Sequence, residues 1–166
     1  MGRCGLKWFT KHGFRMESPQ SVQPIFAGEF RHAMDAKNRV TIPSRWRRGD
    51  LEEFFAIPNL KGGFLMVMPP AEFTRLVEKV EHDQSLKPEE RPKFLRQFSS
   101  KAQHVTGDKQ GRIVLPDEQC KVLNLRGEVV LVGNYFRFEI WDPKRWQKAD
   151  EEDATTFSYL LDRIGI

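Results

Sequence analysis

The chain has 166 residues, of which 30% are charged, and its formal net charge is +4. This length suits one compact domain or two small fused ones, and no stretch has the length and apolar content of a membrane span. The two cysteines, Cys4 and Cys120, are far apart in sequence, the four histidines show no ligand spacing, and no serine lies in a nucleophile elbow. We therefore expect no metal site, cofactor, small-molecule substrate or enzymatic activity.

Residues 1–24 contribute +3 of the net charge of +4, which leaves the rest of the chain nearly neutral. This segment lacks the continuous apolar core of a secretory signal. It is predicted to be a disordered basic tail, and a start codon placed too early is the less favoured alternative.

A repeated motif follows the tail. Residues 35–43, DAKNRVTIP, and residues 108–116, DKQGRIVLP, share Asp, Arg and Pro at an offset of 73 residues. Residues 67–73 align with residues 140–146 at the same offset. Such a repeat predicts two copies of one fold. A copy of about 45 residues is too small to hold a large core alone, so the copies are expected to pack on each other.

The start of each motif has the residue types of a tight turn. Asn38 and Gly111 accept a positive φ, and both occupy the fourth position of the motif. Asp35 and Asp108 can accept hydrogen bonds from backbone amides two residues later. The motif is therefore predicted to begin with a turn that leads into a strand.

The remainder of each motif carries an arginine and a proline. Arg39 and Arg112 stand just beyond the predicted turn, where each can pair with the aspartate of its own motif or present its guanidinium outward. Both roles can coexist, because an acidic partner orients the guanidinium. Pro43 and Pro116 are expected in the first turn of a short helix, where a missing N–H costs nothing.

Alternating apolar residues predict eight short strands, at residues 30–33, 39–42, 55–57, 64–68, 102–105, 112–115, 129–132 and 137–141. The apolar residues expected in the core are Ile42, Val67, Leu115, Val130, Val132 and Ile140. Residues 45–48 cluster positive charge near Arg39, and within them Trp46 is expected to point inward.

Helices are predicted between and after the repeats. Apolar residues recur with helical spacing from 73 to 80, and a second helix is expected near residue 87 with Ser85 as its cap. The apolar stripe of this second helix is formed by Phe94, Leu95 and Phe98. A carboxy-terminal helix has a similar stripe, formed by Phe157, Leu160, Leu161 and Ile164. Either stripe can cover the chain's own core or form a subunit interface.

Residues 25–30 (IFAGEF), the two D-x-x-x-R motifs, and the segments 130–133 and 138–142 together resemble the MraZ family of bacterial transcriptional regulators. The resemblance covers about residues 25–163. The chain departs from the family pattern at Asn38, where glycine is usual, and in its first 24 residues.

The resemblance implies an α+β fold in which two tandem swapped-hairpin AbrB-like modules form a double-psi-like β-barrel with peripheral helices. It divides the chain into a tail (1–24), a first SpoVT-AbrB module (29–72), a helical connector (73–101), a second module (102–145) and a carboxy-terminal helix (146–166).

The resemblance also implies a cytoplasmic, nucleoid-associated protein that binds double-stranded DNA sequence-specifically. It is expected to repress the division and cell-wall gene cluster through direct repeats upstream of its own promoter, as a ring-shaped homo-oligomer of the octamer or dodecamer type. The residues expected at the DNA are Arg39, Arg112, Lys37, Lys109, Asp35, Asp108, Asn38 and Gly111. The arginines suit guanine, and the lysines suit phosphates.

Two other classes of function are weighed against DNA binding. An oligomeric interaction or scaffold protein on the same barrel would suit the nearly neutral charge of residues 25–166. An enzyme would need a convergent acid, base or nucleophile set, which the sequence does not offer.

Overall fold

The computed structural model describes residues 24–49 and 52–166, so the predicted tail lies outside the described residues except for Pro24. The described chain contains, in order, β1 (Glu29–Ala33), β2 (Arg39–Thr41), a short 3-10 helix (Ser44–Trp46), β3 (Glu53–Asn59), β4 (Phe64–Met68), α1 (Pro70–His82), α2 (Glu90–Lys101), β5 (Gln103–Thr106), β6 (Arg112–Val114), α3 (Asp117–Leu123), β7 (Glu128–Asn134), β8 (Arg137–Trp141) and α4 (Pro143–Ile164). All eight predicted strands are present, with bounds that differ by at most two residues.

The strands form a six-stranded antiparallel sheet and a separate two-stranded ribbon. The order in the sheet is β1-β7-β8-β4-β3-β5, and the ribbon consists of β2 and β6. The first strand of each repeat pairs with the other repeat, since β1 lies against β7 and β5 lies against β3. From either edge of the sheet, equivalent strands of the two repeats follow one another in the same order. The sheet therefore has pseudo-two-fold symmetry about the β4–β8 pair.

The fold class is therefore mixed α and β, with strands exchanged between the repeats. The double-psi-like barrel and the division into modules stay predictions. Helices α1 and α4 begin at Pro70 and Pro143, which is three residues before the predicted starts of the connector and of the carboxy-terminal helix.

Apolar side chains of both repeats enter one core. Trp46 is 2% exposed, its ring centroid lies 5.5 Å from that of Phe26 and 5.2 Å from that of Phe138, and its indole N–H donates to the carbonyl oxygen of Ala27 at 3.1 Å. The prediction that Trp46 points inward is confirmed. Five of the predicted core residues are buried: Ile42, Val67, Leu115, Val130 and Ile140.

The prediction that Val132 lies in the core is wrong, because this residue is only half-buried. Val132 is near the end of β7, and its cross-strand partners are Glu29 and Glu139. Carboxylate-bearing side chains, rather than apolar ones, therefore flank it in the sheet.

Three predicted helix starts also differ from the structure. Pro43 and Pro116 occupy the N-cap position, one residue before the first turn, with the extended backbone that an N-cap needs. Ser85 does not cap α2, which begins at Glu90. Instead, the backbone N–H and the hydroxyl of Ser85 both donate to a carboxylate oxygen of Asp83, at 2.8 and 2.6 Å, so Ser85 belongs to the preceding turn.

The apolar stripe of α2 is partly covered by the chain itself. The Phe98 ring stacks on Phe73 of α1 with a centroid distance of 5.1 Å, and Phe73 in turn lies 4.6 Å from Phe55 of β3. Phe94 stacks on Phe98 but remains 46% exposed. The aromatic contacts thus extend from Phe55 to Phe94, which lies at the surface.

Helix α4 leaves its apolar stripe uncovered within one chain. From residue 150 to residue 166, every side chain except Leu161 is exposed, including Phe157 at 63% and Ile164 at 65%. Across the described ranges, 24–49 and 52–166, the helices are all too short or too polar to cross a membrane.

Candidate nucleic-acid interface

The ribbon brings the two motifs of the repeat into direct contact. Strands β2 and β6 are antiparallel, with Arg39 opposite Val114 and Thr41 opposite Arg112. The ladder continues at both ends, because the Ile42 N–H donates to the carbonyl oxygen of Gly111 at 2.8 Å and the equivalent Leu115 N–H donates to that of Asn38 at 2.9 Å. The turns of the two repeats therefore flank one ribbon.

The two faces of the ribbon differ in chemistry. Val40 and Ile113 are paired, fully buried and part of the core. Side chains alternate along a strand, and directly paired residues share a face. The outer face of the ribbon is therefore formed by Arg39, Thr41, Arg112 and Val114, and this set is called the ribbon face below.

In the first turn, one carboxylate organises both the backbone and the arginine. Oδ1 of Asp35 accepts from the backbone N–H groups of Lys37 and Arg39, both at 2.9 Å, and Oδ2 accepts from Nε of Arg39 at 2.6 Å. Asn38 has φ of 56°, as the motif predicts for this position. The turn is thus closed by its own aspartate.

The second turn has the same geometry. Oδ1 of Asp108 accepts from the backbone N–H groups of Gln110 and Arg112, both at 2.9 Å. Oδ2 accepts from Nε of Arg112 at 2.9 Å, and Nη2 of the same guanidinium lies 2.8 Å away. Gly111 has φ of 74°. The sequence repeat is therefore a repeat of hydrogen bonds.

These hydrogen bonds lower the pKa of both aspartates. The largest cause is the backbone N–H of Arg39 for Asp35 and the backbone N–H of Arg112 for Asp108, and the guanidinium of the same arginine adds to the effect. Both carboxylates are therefore ionised at neutral pH and hold the arginines in place.

The two roles considered for the arginines coexist. Each arginine pairs with its own aspartate, yet the side chains of Arg39 and Arg112 remain 33% and 31% exposed. Among the described residues, Nη1 and Nη2 of Arg39 and Nη1 of Arg112 have no hydrogen-bond partner. An oriented guanidinium with unused N–H groups can donate to a base edge or a phosphate.

The other predicted site residues lie around the same two turns. Lys37 and Lys109 are exposed, in the first and second turn respectively. Nδ2 of Asn38 donates to Oδ1 of Asp117 at 3.2 Å, which ties the first turn to α3. The structure thus brings all eight predicted residues to the two ends of the ribbon.

Two further residues of this surface were missed by sequence reasoning. Thr41 and Val114 occupy equivalent positions on the ribbon face, and the i, i+2 alternation after each arginine could have revealed them. Arg47 reaches the second turn, where its Nη1 donates to the carbonyl oxygen of Gln110 at 3.4 Å. The sequence had already placed Arg47 in the cluster of positive charge at residues 45–48 near Arg39.

Cys120 lies on α3 near the first turn but is buried. Burial, with a smaller effect from the Asp117 charge, raises the pKa of its thiol to about 11. The thiol is therefore protonated at neutral pH, which disfavours nucleophilic chemistry. In the part of the chain that the structure describes, no three His, Cys, Asp or Glu side chains form a group that could hold a metal ion.

The described residues thus define a two-repeat α+β protein that presents an arginine-bearing ribbon. The sequence profile of the family described as "MraZ protein, putative antitoxin-like" matches residues 25–96 and 98–163. The chain belongs to the MraZ family.

Relatives named transcriptional regulator MraZ match most of the chain. The chain is 36% identical to the one from Heliobacterium modesticaldum over 140 residues, which is 84% of this chain and 96% of the relative. It is 33% identical to the one from Clostridium acetobutylicum over 144 residues, which is 86% of this chain and all of the relative. It is 35% identical to the one from Pediococcus pentosaceus over 140 residues, which is 84% of this chain and 96% of the relative.

Proposed function

We propose that this protein is a sequence-specific DNA-binding transcriptional regulator whose β2–β6 ribbon enters the major groove. The observation that carries the proposal is the ribbon face, where two oriented arginines lie on a pair of strands whose other side is buried in the core. The major groove of B-DNA accepts a two-stranded β-ribbon. The names of the relatives support a role in transcription.

In this proposal the site residues have distinct roles. Arg39 and Arg112 donate to guanine O6 and N7, and exposed Lys37 and Lys109 neutralise phosphates. Asp35 and Asp108 orient the arginines rather than contact bases, because their carboxylates already accept from the turn amides and the guanidinium. Asn38 and Gly111 shape the turns through their positive φ.

The resemblance supplies the proposed target. The protein acts as a repressor of the division and cell-wall gene cluster, in the cytoplasm and at the nucleoid, through direct repeats upstream of its own promoter. The ribbon spans three residue pairs, which is a small footprint for a specific site. Several ribbons on one assembly would add effective concentration and make tandem repeats a matched target.

The proposed assembly is a ring-shaped homo-oligomer of the octamer or dodecamer type. Helix α4 exposes its apolar stripe, and a separate groove of about 380 Å³ beside α2 is lined by apolar residues that include Met66, Phe94 and Phe98 and by the lysines Lys61 and Lys101. The acidic residues 150–153 of α4 complement these lysines. Seating α4 of one copy in the groove of the next would be a heterologous contact, which forms a ring if it closes.

A gel shift with the DNA upstream of the chain's own gene tests the function. Wild-type protein should bind this fragment more tightly than a scrambled fragment. Each of Arg39→Ala and Arg112→Ala should lower specific affinity by about 1–3 kcal/mol and blur base preference. Arg96→Ala, on the exposed side of α2, is the matched control and should bind as wild type does.

The rival function is an oligomeric interaction protein that does not bind DNA. It is favoured by the nearly neutral charge of residues 25–166 and by the exposed stripe of α4. Unchanged binding of the upstream fragment by a folded Arg39→Ala, Arg112→Ala double variant would contradict the site. No preference for the upstream fragment by the wild type would favour the rival.

A further inference from the structure

Val114 is an exposed apolar residue at one end of the ribbon face. Its side chain is 55% exposed, it pairs directly with Arg39, and Arg112 precedes it by two positions on the same face. Both neighbours on this face are therefore the arginines that the proposed function assigns to guanine. Val40 and Ile113 already supply the ribbon's buried side, so the core does not require Val114 to be apolar.

On DNA, this pairing would place Val114 over a base pair next to the one that Arg39 would read. Directly paired residues have Cβ atoms about 4.5–5.5 Å apart, and successive bases along a strand rise by about 3.4 Å. The apolar feature of the major groove is the 5-methyl group of thymine. A guanidinium and an isopropyl group side by side therefore match a guanine beside a thymine.

We propose that Val114 contacts the 5-methyl group of a thymine adjacent to the guanine read by Arg39, and this inference rests on the proposed function. The equivalent position in the first repeat is Thr41, which pairs with Arg112 and carries a hydroxyl. The two ends of the ribbon face therefore differ chemically although their backbones are equivalent. A ribbon with unlike ends reads a directional sequence, which suits direct rather than inverted repeats.

The experiment compares thymine DNA with uracil DNA, which lacks only the methyl groups. The fragment upstream of the chain's own gene is amplified once with dTTP and once with dUTP, and affinities are measured for the wild type, Val114→Ala and Val122→Ala. Val122 is the matched control, because it is a similarly exposed valine at 59% but lies on α3. Melting curves confirm that all three proteins fold.

We expect the wild type and Val122→Ala to lose the same factor of affinity on uracil DNA. Val114→Ala should lose about fourfold less, since its truncated side chain no longer reaches the methyl group. An equal loss for Val114→Ala and the wild type would overturn the inference while leaving the DNA-binding proposal intact. Failure of the wild type to prefer the upstream thymine fragment would instead overturn the proposed function and, with it, this inference.

Discussion

Asn38 and Gly111 occupy the same left-handed position in the two turns, but they face different neighbours. Asn38 bonds to Asp117, whereas Gly111 faces Arg47 so closely that an added Cβ would overlap the guanidinium. The position equivalent to Arg47 in the second repeat is Cys120, a much smaller residue. The first turn therefore has no arginine at the position equivalent to Arg47.

This relationship predicts a non-additive effect on stability. Gly111→Asn should destabilise the protein by about 1 kcal/mol, because Asn tolerates the backbone but must displace Arg47. In an Arg47→Ala background the same change should cost less than about 0.5 kcal/mol. Urea denaturation measures both free-energy changes. Asn38→Gly serves as the control, and we expect it to lower the free energy of unfolding by only a few tenths of a kcal/mol. Equal costs in both backgrounds would show that Arg47 is not the obstacle.

The lowered pKa values of Asp35 and Asp108 predict a pH-dependent contribution to stability. A carboxylate with a lowered pKa in the folded state stabilises the fold above the ordinary aspartate value of about 4 and loses this effect as pH falls through the lowered pKa. Asp35→Asn and Asp108→Asn should therefore be less stable than the wild type at pH 7, and the gap should shrink as the pH falls below about 4.

Chemical denaturation at pH 7 and pH 3 measures that gap. Asp162→Asn, on the exposed part of α4, removes the same charge away from the turns and is the control. A gap for Asp35→Asn that is constant across this pH range would mean that its carboxylate does not hold the turn.

The lysines of the turns should act on all DNA sequences alike. Lys109→Ala and Lys37→Ala should each weaken binding to the specific fragment and to the scrambled fragment by a similar factor, because phosphates carry no base identity. The slope of log affinity against log salt should fall in magnitude by about 0.9 for each phosphate that the variant leaves without its lysine. Titrations at several salt concentrations give the slope, with Lys93→Ala on α2 as the control. If only the specific fragment bound more weakly, the result would indicate that these lysines contact bases rather than phosphates.

The half-buried position of Val132 predicts a contrast within one strand. Val130 is fully buried, so Val130→Asp should leave little soluble protein, because an unpaired charge in the core is very costly. Val132→Asp should remain soluble and melt cooperatively, although at a lower temperature, since it places a carboxylate beside Glu29 and Glu139. Soluble yield and thermal melting are measured for both variants. Similar yields and melting temperatures would contradict the difference in burial between Val130 and Val132.

The exposed stripe of α4 predicts assembly through this helix. Phe157→Asp and Leu160→Asp should reduce the mass seen in light scattering from many chains toward one, because a charge is placed in the proposed apolar contact. Helical periodicity places Thr155 on the opposite face, so Thr155→Asp should keep the assembly. A wild type that is monomeric at micromolar concentration would contradict the ring without affecting the ribbon face.

Local features of this protein could be predicted from sequence because neighbouring residues determine them. Asn38 and Gly111 adopt positive φ, and Asp35 and Asp108 bond to the amides that follow them, because turn chemistry acts within four or five residues. The repeat at a fixed offset likewise predicted equivalent strands in both halves, since each copy carries the same alternation.

Pairing between distant strands was decided by the tertiary structure. No local pattern specifies that β1 lies against β7 or that Val132 lies between Glu29 and Glu139. The register of β2 and β6 is also set by distant contacts, because Val40 and Ile113 must both reach the shared core. That register places Arg39 beside Val114, so the composition of the ribbon face follows from the packing of the two repeats on each other.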